Sequence, residues 1–211
     1  MGFVASAPVR LNIEPATGAM VGSTGAKQTR LRDLAGLYAD RAAFEEAAAS
    51  RGDEIAYEVQ EFRPARVAPH ELVFGTSALQ PGTIGDEFCM TRGHIHIRAD
   101  RPEIYACQSG RGVMHMEAPD GATHPVEMGL GDVVYVPAYW VHRSVNIGDH
   151  PLITLFCYPA DAGQDYGIIE RSQGMRTLIV RDGSGWREIE NPRYRPRSPA
   201  EQRRYFESAA A

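Results

Sequence analysis

From residue 54 onward, short apolar runs alternate with clusters of turn-forming residues. The apolar runs are EIAYEVQEF, HELVFGTSAL, EFCMTRGHIHI, EIYACQS, GVMHMEA, VVYVPAY, HRSVNI and LITLFCY. The clusters between them include QPG, DRP, SGRG, PDG, GLGD and NIGDHP, which are typical of turns and strand ends. Short strands that recur with turns between them indicate an antiparallel sandwich or barrel. The pattern therefore predicts a mainly β domain.

A different pattern precedes these strands, in LRDLAGLYADRAAFEEAAASRGD. Asp40 is placed to cap a helix that runs through Ala49, and Gly52 lies beyond the end of that helix. The sequence therefore predicts a short helical segment ahead of the β region.

The two ends of the chain differ from its middle. Residues 1–30 alternate short apolar pieces with Gly, Pro and Thr, as an arm or an edge strand would. The tail PRYRPRSPAEQRRYFESAAA is rich in Pro and Arg and then polar, so we expect a flexible extension with at most a short helix. A length of 211 residues suits one domain with such extensions.

Composition narrows the choice of partners. The formal net charge of −5 provides no broad cationic surface, so we expect neither nucleic acid nor an anionic membrane as a partner. The chain has no apolar run of about 18 residues and no recognisable signal peptide, which predicts a cytoplasmic protein. Cys89, Cys107 and Cys157 lie within apolar runs, and we expect them to be free thiols.

The segment GHIHIRADRPEIY carries candidate metal ligands. On a strand, His94 and His96 would point to the same face, roughly 6.5 to 7 Å apart. Pro102 would restart a strand and return Glu103 toward the pair, and His142 opens a later strand. Three imidazoles and one carboxylate suit a divalent ion of the Fe, Mn, Ni, Co or Zn series. The remaining histidines, which we expect to be surface or packing residues, are His70, His115, His124 and His150.

The same residues form a known double motif. G-x-H-x-H with a carboxylate seven residues later, followed by Gly131, Asp132, Pro137 and His142, resembles the cupin superfamily. More specifically, TRGHIHIRADRPEIY, GDVVYVPAYWVHRSVNIGD and YPADAGQDYG are similar to the cupin-type phosphoglucose isomerases. The resemblance extends from about residue 30 to residue 194. It divides the chain into an N-terminal arm (1–30), a cupin isomerase domain (31–194) and a C-terminal extension (195–211).

This resemblance implies a fold, an activity and a site. The fold is a single cupin barrel, a jelly-roll-like double-stranded β-helix, in a homodimer that holds one divalent ion per chain, with Fe²⁺ expected first. The activity is interconversion of glucose 6-phosphate and fructose 6-phosphate in glycolysis and gluconeogenesis. The implied metal ligands are His94, His96, Glu103 and His142, and the implied catalytic residues are Glu103, His142 and Tyr166. The implied substrate-binding residues are Tyr57, Ser77, Thr91, Arg92, Gly93, Tyr105, Tyr139, Tyr158 and Gln164.

At three of these positions the chain departs from the pattern of the family. Ser77 stands where threonine is usual, and Arg92 stands where lysine occurs. Gln164 replaces a histidine that the family often carries near the sugar, and glutamine cannot exchange a proton near neutral pH. The sequence also leaves open whether Glu103 acts as a base through an enediolate or is a ligand for a direct hydride shift.

Other functions remain open on the sequence alone. Barrel and metal ligands do not determine the reaction, so a non-haem iron dioxygenase or a sugar-phosphate epimerase or isomerase of different specificity is an alternative. A cupin that binds a sugar phosphate without catalysis is a third reading, favoured only by Gln164.

Overall fold

The computed structural model describes residues 7–207, so part of the arm (1–6) and the last residues of the extension (208–211) lie outside the described residues. The strands are β1 (Asn12–Ile13), β2 (Met20–Val21), β3 (Gly25–Arg30), β4 (Ile55–Phe62), β5 (Leu72–Leu79), β6 (Thr83–Ile84), β7 (Glu87–Phe88), β8 (Glu103–Ser109), β9 (Arg111–Glu117), β10 (Thr123–Gly129), β11 (Val133–Val136), β12 (Val141–Asn146), β13 (Leu152–Pro159), β14 (Thr177–Asp182) and β15 (Gly185–Glu190). The helices are α1 (Arg41–Arg51), α2 (Gly167–Arg171) and α3 (Pro199–Glu207), with a 3-10 turn at Leu31–Leu34. The predicted mainly β fold is confirmed.

The predicted helix is α1, and its start follows from its capping residue. The Asp40 side chain accepts a hydrogen bond from the backbone N–H of Ala43 at 2.9 Å, which satisfies one of the free donors of the first turn. The helix continues to Arg51, two residues beyond the predicted end at Ala49, and Gly52 follows it.

Six strands form the larger wall of the site, in the order β11-β8-β13-β5-β4-β3, with antiparallel neighbours. The register aligns Tyr105 with Phe156, Phe156 with Gly75 and Gly75 with Glu61. A Cβ on Gly75 would stand 2.7 Å from the ring of Phe156, so this row needs a glycine where the aromatic ring crosses. The side chains of this row therefore shape the inner face of the sheet, which borders the site.

A three-stranded sheet, β10-β9-β12, brings His142 to the opposite side of the site. The structure places Thr123–Gly129 in edge strand β10, a segment that is not among the apolar runs from which strands were predicted. Pro125 obscured this strand in the sequence, and proline is tolerated there because an edge strand has backbone N–H groups without a partner strand. A further sheet of four strands, β15-β14-β7-β6, lies beside these two.

One predicted strand is wrong in part. Only Glu87 and Phe88 of EFCMTRGHIHI form a regular strand, and the rest is extended chain with isolated bridges such as His94 to His142. Within this segment Gly93 has a φ of +76°, a left-handed conformation that interrupts the extended chain just before His94.

Both chain ends are packed where the structure describes them. Gly25–Arg30 pair with β4 as part of the main sheet, and the Thr76 hydroxyl donates to the Gly18 carbonyl at 2.5 Å. In α3 the side chain of Tyr205 is buried. The division into arm, domain and extension stays a prediction, but the described parts of both ends belong to the packed structure.

A buried ion pair links the C-terminal extension to strand β9 of the domain. Arg197 Nη2 lies 2.7 Å from Glu117 Oε1, and both side chains are almost fully buried. The carboxylate also accepts from the Tyr194 hydroxyl at 2.8 Å and from the backbone N–H of Arg176 at 2.8 Å. A buried carboxylate that loses its cation is costly, so this contact links the tail to the stability of the domain.

We therefore expect Arg197→Met to lower the free energy of unfolding by about 3 kcal/mol, because Glu117 would remain buried without its cation. Urea unfolding followed by circular dichroism measures this change. Arg203→Met, at an exposed position of α3, is the matched control and should stay within about 0.5 kcal/mol of the wild type. Equal effects of the two substitutions would show that the extension is not fastened through Arg197.

Candidate active site

Four predicted metal ligands meet in the interior between the two sheets. His94 and His96 lie on the extended segment before β8, Glu103 is the first residue of β8, and His142 is the second residue of β12. All four side chains are buried, and their ligand atoms lie within 4.8 Å of one another. We call these four residues the ligand cluster.

The carboxylate of Glu103 is at the centre of the ligand cluster. Its Oε2 atom lies 2.9 Å from His142 Nε2, 3.2 Å from His96 Nε2 and 3.8 Å from His94 Nε2. The other oxygen, Oε1, and His96 Nε2 are buried without a hydrogen-bond partner. Buried polar atoms of this kind are rare, because each costs free energy unless it is paired.

Backbone carbonyls fix which ring nitrogen faces the centre. The Nδ1 atom of His96 lies 2.7 Å from the Arg101 carbonyl, and that of His142 lies 3.1 Å from the Trp140 carbonyl. A carbonyl can only accept, so each Nδ1 carries the proton and each Nε2 of the neutral ring is an acceptor. Acceptor atoms therefore converge on one point, which calls for a cation between them.

The protonation states agree with this requirement. Burial would raise the pKa of Glu103, but hydrogen bonds from His142 and His96 outweigh it and hold the pKa well below the usual range. Those bonds need positively charged rings, because each Nδ1 already carries a proton, and a metal ion would supply the same positive charge. Burial, with His142 as the next cause, lowers the pKa of His94 well below its usual value. An ionised carboxylate and a neutral imidazole are the forms that coordinate a metal ion.

Gly93 sets the position of His94. A Cβ at Gly93 would stand 2.7 Å from Ile169 and 2.8 Å from the Cβ of Arg143, besides having to adopt the left-handed conformation. The neighbouring backbone is held against β12, where the His94 N–H donates to the His142 carbonyl at 3.0 Å and the His94 carbonyl accepts from the His142 N–H at 2.9 Å. Two ligands are thus held at a fixed separation by one backbone bridge.

A cavity of about 270 Å³ opens from the ligand cluster between the sheets. Most of the predicted site residues line it: Tyr57, Ser77, Thr91, Gly93, His94, Glu103, Tyr105, His142, Tyr158, Gln164 and Tyr166. His96 belongs to the ligand cluster but is not among the lining residues. The sequence therefore located both the cluster and most of the cavity next to it.

Two predicted substrate-binding residues lie elsewhere. The guanidinium of Arg92 is bound to the Glu170 carboxylate and to the Asp33 carbonyl, and it does not line the cavity. Tyr139 borders a much smaller, separate cavity beside α3. Arg92 follows the cavity residue Thr91 in an extended chain, so its side chain points to the opposite side.

The cavity also has charged lining residues that sequence reasoning missed. Lys27 comes from β3, Glu61 from the end of β4, Arg63 from the residue that follows β4, and Arg143 from β12. Arg63 pairs with Glu61 at 3.1 Å and donates to the Tyr158 hydroxyl at 3.3 Å. The alternation of β4 was a usable signal, because Glu61 shares the face of the predicted residue Tyr57.

Tyr166 and Gln164 form a hydrogen-bonded pair above His94. The Tyr166 hydroxyl donates to Gln164 Oε1 at 2.5 Å, and Gln164 Nε2 lies 3.4 Å from His94 Nε2. Burial raises the pKa of Tyr166 to about 12, so its hydroxyl keeps its proton at neutral pH. The amide of Gln164 is therefore oriented with its NH₂ group toward the ligand cluster.

Comparison with known proteins gives consistent matches over most of the chain. The family described as glucose-6-phosphate isomerase (GPI) matches residues 28–195. A glucose-6-phosphate isomerase of Sinorhizobium medicae is 50% identical over 194 residues, covering 92% of this chain and 90% of that one. A glucose-6-phosphate isomerase of Thermococcus onnurineus is 41% identical over 189 residues, covering 90% of this chain and 97% of that one.

Solved structures give a weaker match. An oxalate decarboxylase of Bacillus subtilis aligns over 51% of this chain and 27% of its own, with 26% sequence identity and a TM-score of 0.43. A likeness this partial carries no argument about fold or function.

The ligand cluster yields a direct prediction about bound metal. Purified protein should carry about one divalent ion per chain, and His96→Gln should remove most of it, because one of four ligands is lost. Elemental analysis of protein equilibrated with Mn²⁺ or Fe²⁺ and desalted measures the content. His70→Gln, at an exposed histidine, is the control and should keep the ion. Equal metal content in the two variants would contradict the predicted site.

Proposed function

The chain belongs to the glucose-6-phosphate isomerase family, and from this premise we propose that it is a metal-dependent aldose–ketose isomerase that interconverts glucose 6-phosphate and fructose 6-phosphate. The observation that carries the proposal is the meeting of three histidine nitrogens and the Glu103 carboxylate at the inner end of a cavity large enough for a small ligand. The substrate is proposed from the relatives, which are named glucose-6-phosphate isomerase.

The ligand cluster fits a divalent metal ion. Glu103 Oε1 and His96 Nε2 are buried without partners, and the tautomers fixed by backbone carbonyls direct acceptor atoms inward. A bound divalent ion would polarise the oxygens of the substrate at C1 and C2 as a Lewis acid. We keep Fe²⁺ as the expected ion, with Mn²⁺, Ni²⁺, Co²⁺ and Zn²⁺ as alternatives that the same ligands suit.

Glu103 is the proposed base. Isomerisation moves a hydrogen between C1 and C2, and on the enediolate route a carboxylate takes the proton from one carbon and returns it to the other. Glu103 lines the cavity and its carboxylate is ionised, which is the form that a base requires. On the alternative hydride route Glu103 would act only as a ligand.

Tyr105 and Tyr166 supply protonated hydroxyls beside Glu103. Burial, followed by the charge of Glu103, raises the pKa of Tyr105 well above its usual value, so this hydroxyl is a donor at neutral pH. We propose that Tyr166 orients the Gln164 amide toward the sugar oxygens, because its hydroxyl bond fixes the direction of the NH₂ group. Gln164 then donates hydrogen bonds but takes no part in proton transfer.

The phosphate end of the substrate is proposed to lie among small donors. Ser77 Oγ is buried without a partner, and Thr91 and Gly93 line the same cavity. A dianionic phosphate accepts several hydrogen bonds and is held best by donors that converge. Ser77 keeps the hydroxyl that the family's threonine would provide.

The proposed setting is a cytoplasmic homodimer that acts in glycolysis and gluconeogenesis on a small sugar phosphate. No helix within residues 7–207 is both long and apolar enough to cross a membrane. The outer face of the main sheet supports the dimer, because the register aligns an apolar row across five strands. The row consists of Tyr135, Ile104, Cys157, Phe74 and Phe62. Of these, Tyr135 and Ile104 are 59% and 39% exposed, so the row is open to a partner.

Among rival functions, an iron dioxygenase on the same ligands would consume oxygen, and a binding protein would turn over nothing. An assay of fructose 6-phosphate with and without oxygen, at fixed metal content, separates these readings. Formation of glucose 6-phosphate at equal rates in both gases is the expected result. Oxygen uptake without isomerisation would favour the dioxygenase.

The role of Glu103 can be tested by Glu103→Gln, which keeps the shape of the side chain but removes its basicity. We expect kcat to fall by at least about 10²-fold in protein that still holds its metal ion. Glu61→Gln makes the same change at another carboxylate of the cavity and is the control. Normal turnover of Glu103→Gln with about one ion per chain would leave Glu103 as a ligand alone.

The homodimer can be tested on its proposed surface. Multi-angle light scattering should give about twice the chain mass of 23.2 kDa for the wild type. Tyr135→Lys should shift this mass toward the monomer, because a charge would be buried in an apolar contact. Ser184→Lys, in an exposed turn distant in sequence from this surface, should leave the dimer intact. A monomeric wild type, or a dimer unaffected by Tyr135→Lys, would exclude this interface.

A further inference from the structure

Lys27 is the only lysine in the 211-residue chain, and every other cationic side chain is an arginine. It lies in the edge strand β3 of the main sheet and lines the cavity next to the ligand cluster. A chain that otherwise uses arginine therefore presents its single ammonium group at the proposed active site. Lysine and arginine are not equivalent, since lysine offers a compact point charge on a flexible stem.

The strand register places Lys27 beside the proposed phosphate donors. Lys27 pairs with Val59, and Val59 pairs with Ser77, so the three residues form one row on the inner face of the sheet. Neighbouring strands are about 4.8 Å apart, so Lys27 and Ser77 are separated by about 10 Å across the sheet, a distance that an extended lysine side chain and one phosphate group can span together. Ser77 is only 6% exposed, and its hydroxyl has no hydrogen-bond partner. An unpaired buried donor and a cation thus border the same part of the cavity.

The aromatic ring of Tyr166 lies between Lys27 and the ligand cluster. The Nζ atom of Lys27 lies 5.5 Å from the ring centre of Tyr166, and that ring lies 5.5 Å from the ring of His94. A hexose phosphate in extended form spans a comparable distance from C1 to phosphorus. One substrate can therefore reach the ligand cluster and the ammonium group together.

The other cations at or near the cavity have partners. Arg143 is buried and directs its guanidinium to the sulfur atoms of Met175 and Met90. Arg63 is paired with Glu61, and Arg92 is bound to Glu170 outside the cavity. Lys27 has no carboxylate partner among the described residues; its recorded contact is with the face of the Tyr166 ring. In a protein of net charge −5, an uncommitted cation at a cavity is the feature that attracts an anion.

We propose that Lys27 binds the phosphate group of the substrate, together with the hydroxyl of Ser77, and so selects phosphorylated over neutral sugars. This inference rests on the proposed function for the identity of the substrate. It replaces Arg92 as the charged partner of the phosphate. The Lys27 ammonium moves from the face of the Tyr166 ring to the phosphate, where it forms a charge-assisted hydrogen bond.

The single lysine allows a labelling test that needs no turnover. Pyridoxal 5′-phosphate condenses with an amine to give an imine and water, and borohydride reduces the imine to a stable secondary amine. Peptide mass spectrometry then compares Lys27 with the N-terminal α-amino group of the same metal-loaded protein. Pyridoxal lacks the phosphate and also closes to an internal hemiacetal, which slows its reaction with every amine. We therefore expect the preference for pyridoxal 5′-phosphate over pyridoxal to be at least about tenfold greater at Lys27 than at the α-amino group. Inorganic phosphate should protect Lys27 and not the α-amino group.

The substitution Lys27→Met tests the same contact during turnover. KM for fructose 6-phosphate should rise about tenfold, with most of the loss in KM rather than in kcat, because a binding charge is removed. KM should also depend less on salt, since the attraction of an exposed cation is screened. Lys27→Arg should recover part of the affinity. Gln28→Met, one residue along β3 and on its outer face, is the control.

The inference is overturned if the preference for pyridoxal 5′-phosphate is no greater at Lys27 than at the α-amino group and phosphate gives no protection, or if Lys27→Met leaves KM and its salt dependence unchanged. Failure of the proposed function looks different. In that case the wild type does not isomerise fructose 6-phosphate, although phosphate still protects Lys27 from labelling.

Discussion

The site depends on one constraint: acceptor atoms of four buried side chains face each other across less than 5 Å. Backbone carbonyls hold the Nδ1 protons of His96 and His142 on the far side of their rings, so no imidazole proton of a neutral ring points inward. Such an arrangement is stable only around a positive charge, because unpaired buried acceptors and a buried carboxylate are each costly. A divalent ion satisfies all four atoms at once.

The fold serves this constraint by bringing separate strands to one point. Glu103 begins β8 immediately after Pro102, and His142 lies in β12 of the other sheet, with the bridge to His94 joining the two sides. Gly93 permits the close approach of backbone that this bridge requires. From the ligand cluster the cavity extends over the inner face of the main sheet. Its lining there includes hydroxyl groups and the ammonium group of Lys27, whereas the ligand cluster presents acceptor atoms. Opposite ends of the site are therefore suited to opposite ends of a sugar phosphate.

Much of the fold and of the candidate site was predictable from the amino-acid sequence. Pattern and turn clusters predicted the β fold, and the spacing of His94, His96 and Glu103 predicted the ligand cluster, although the histidines lie on extended chain rather than on a regular strand. Arg92 could not be excluded from the sequence, because the partner that holds its side chain outside the cavity, Glu170, lies far along the chain. The packing of Arg197 against Glu117 is a long-range contact that a Pro- and Arg-rich composition conceals. The position of Lys27 at the cavity could not be predicted from the sequence, because it depends on the register of three strands.

The ligand cluster and the cavity together form the proposed metal-dependent isomerase site. The most direct measurement is an anaerobic titration of metal-free protein with Fe²⁺, following bound metal and the rate of glucose 6-phosphate formation from fructose 6-phosphate in the same samples. We expect negligible activity without metal and a rate that rises in proportion to bound ion until about one per chain. Full activity in the metal-free protein, or a rate that does not follow bound metal, would contradict this expectation.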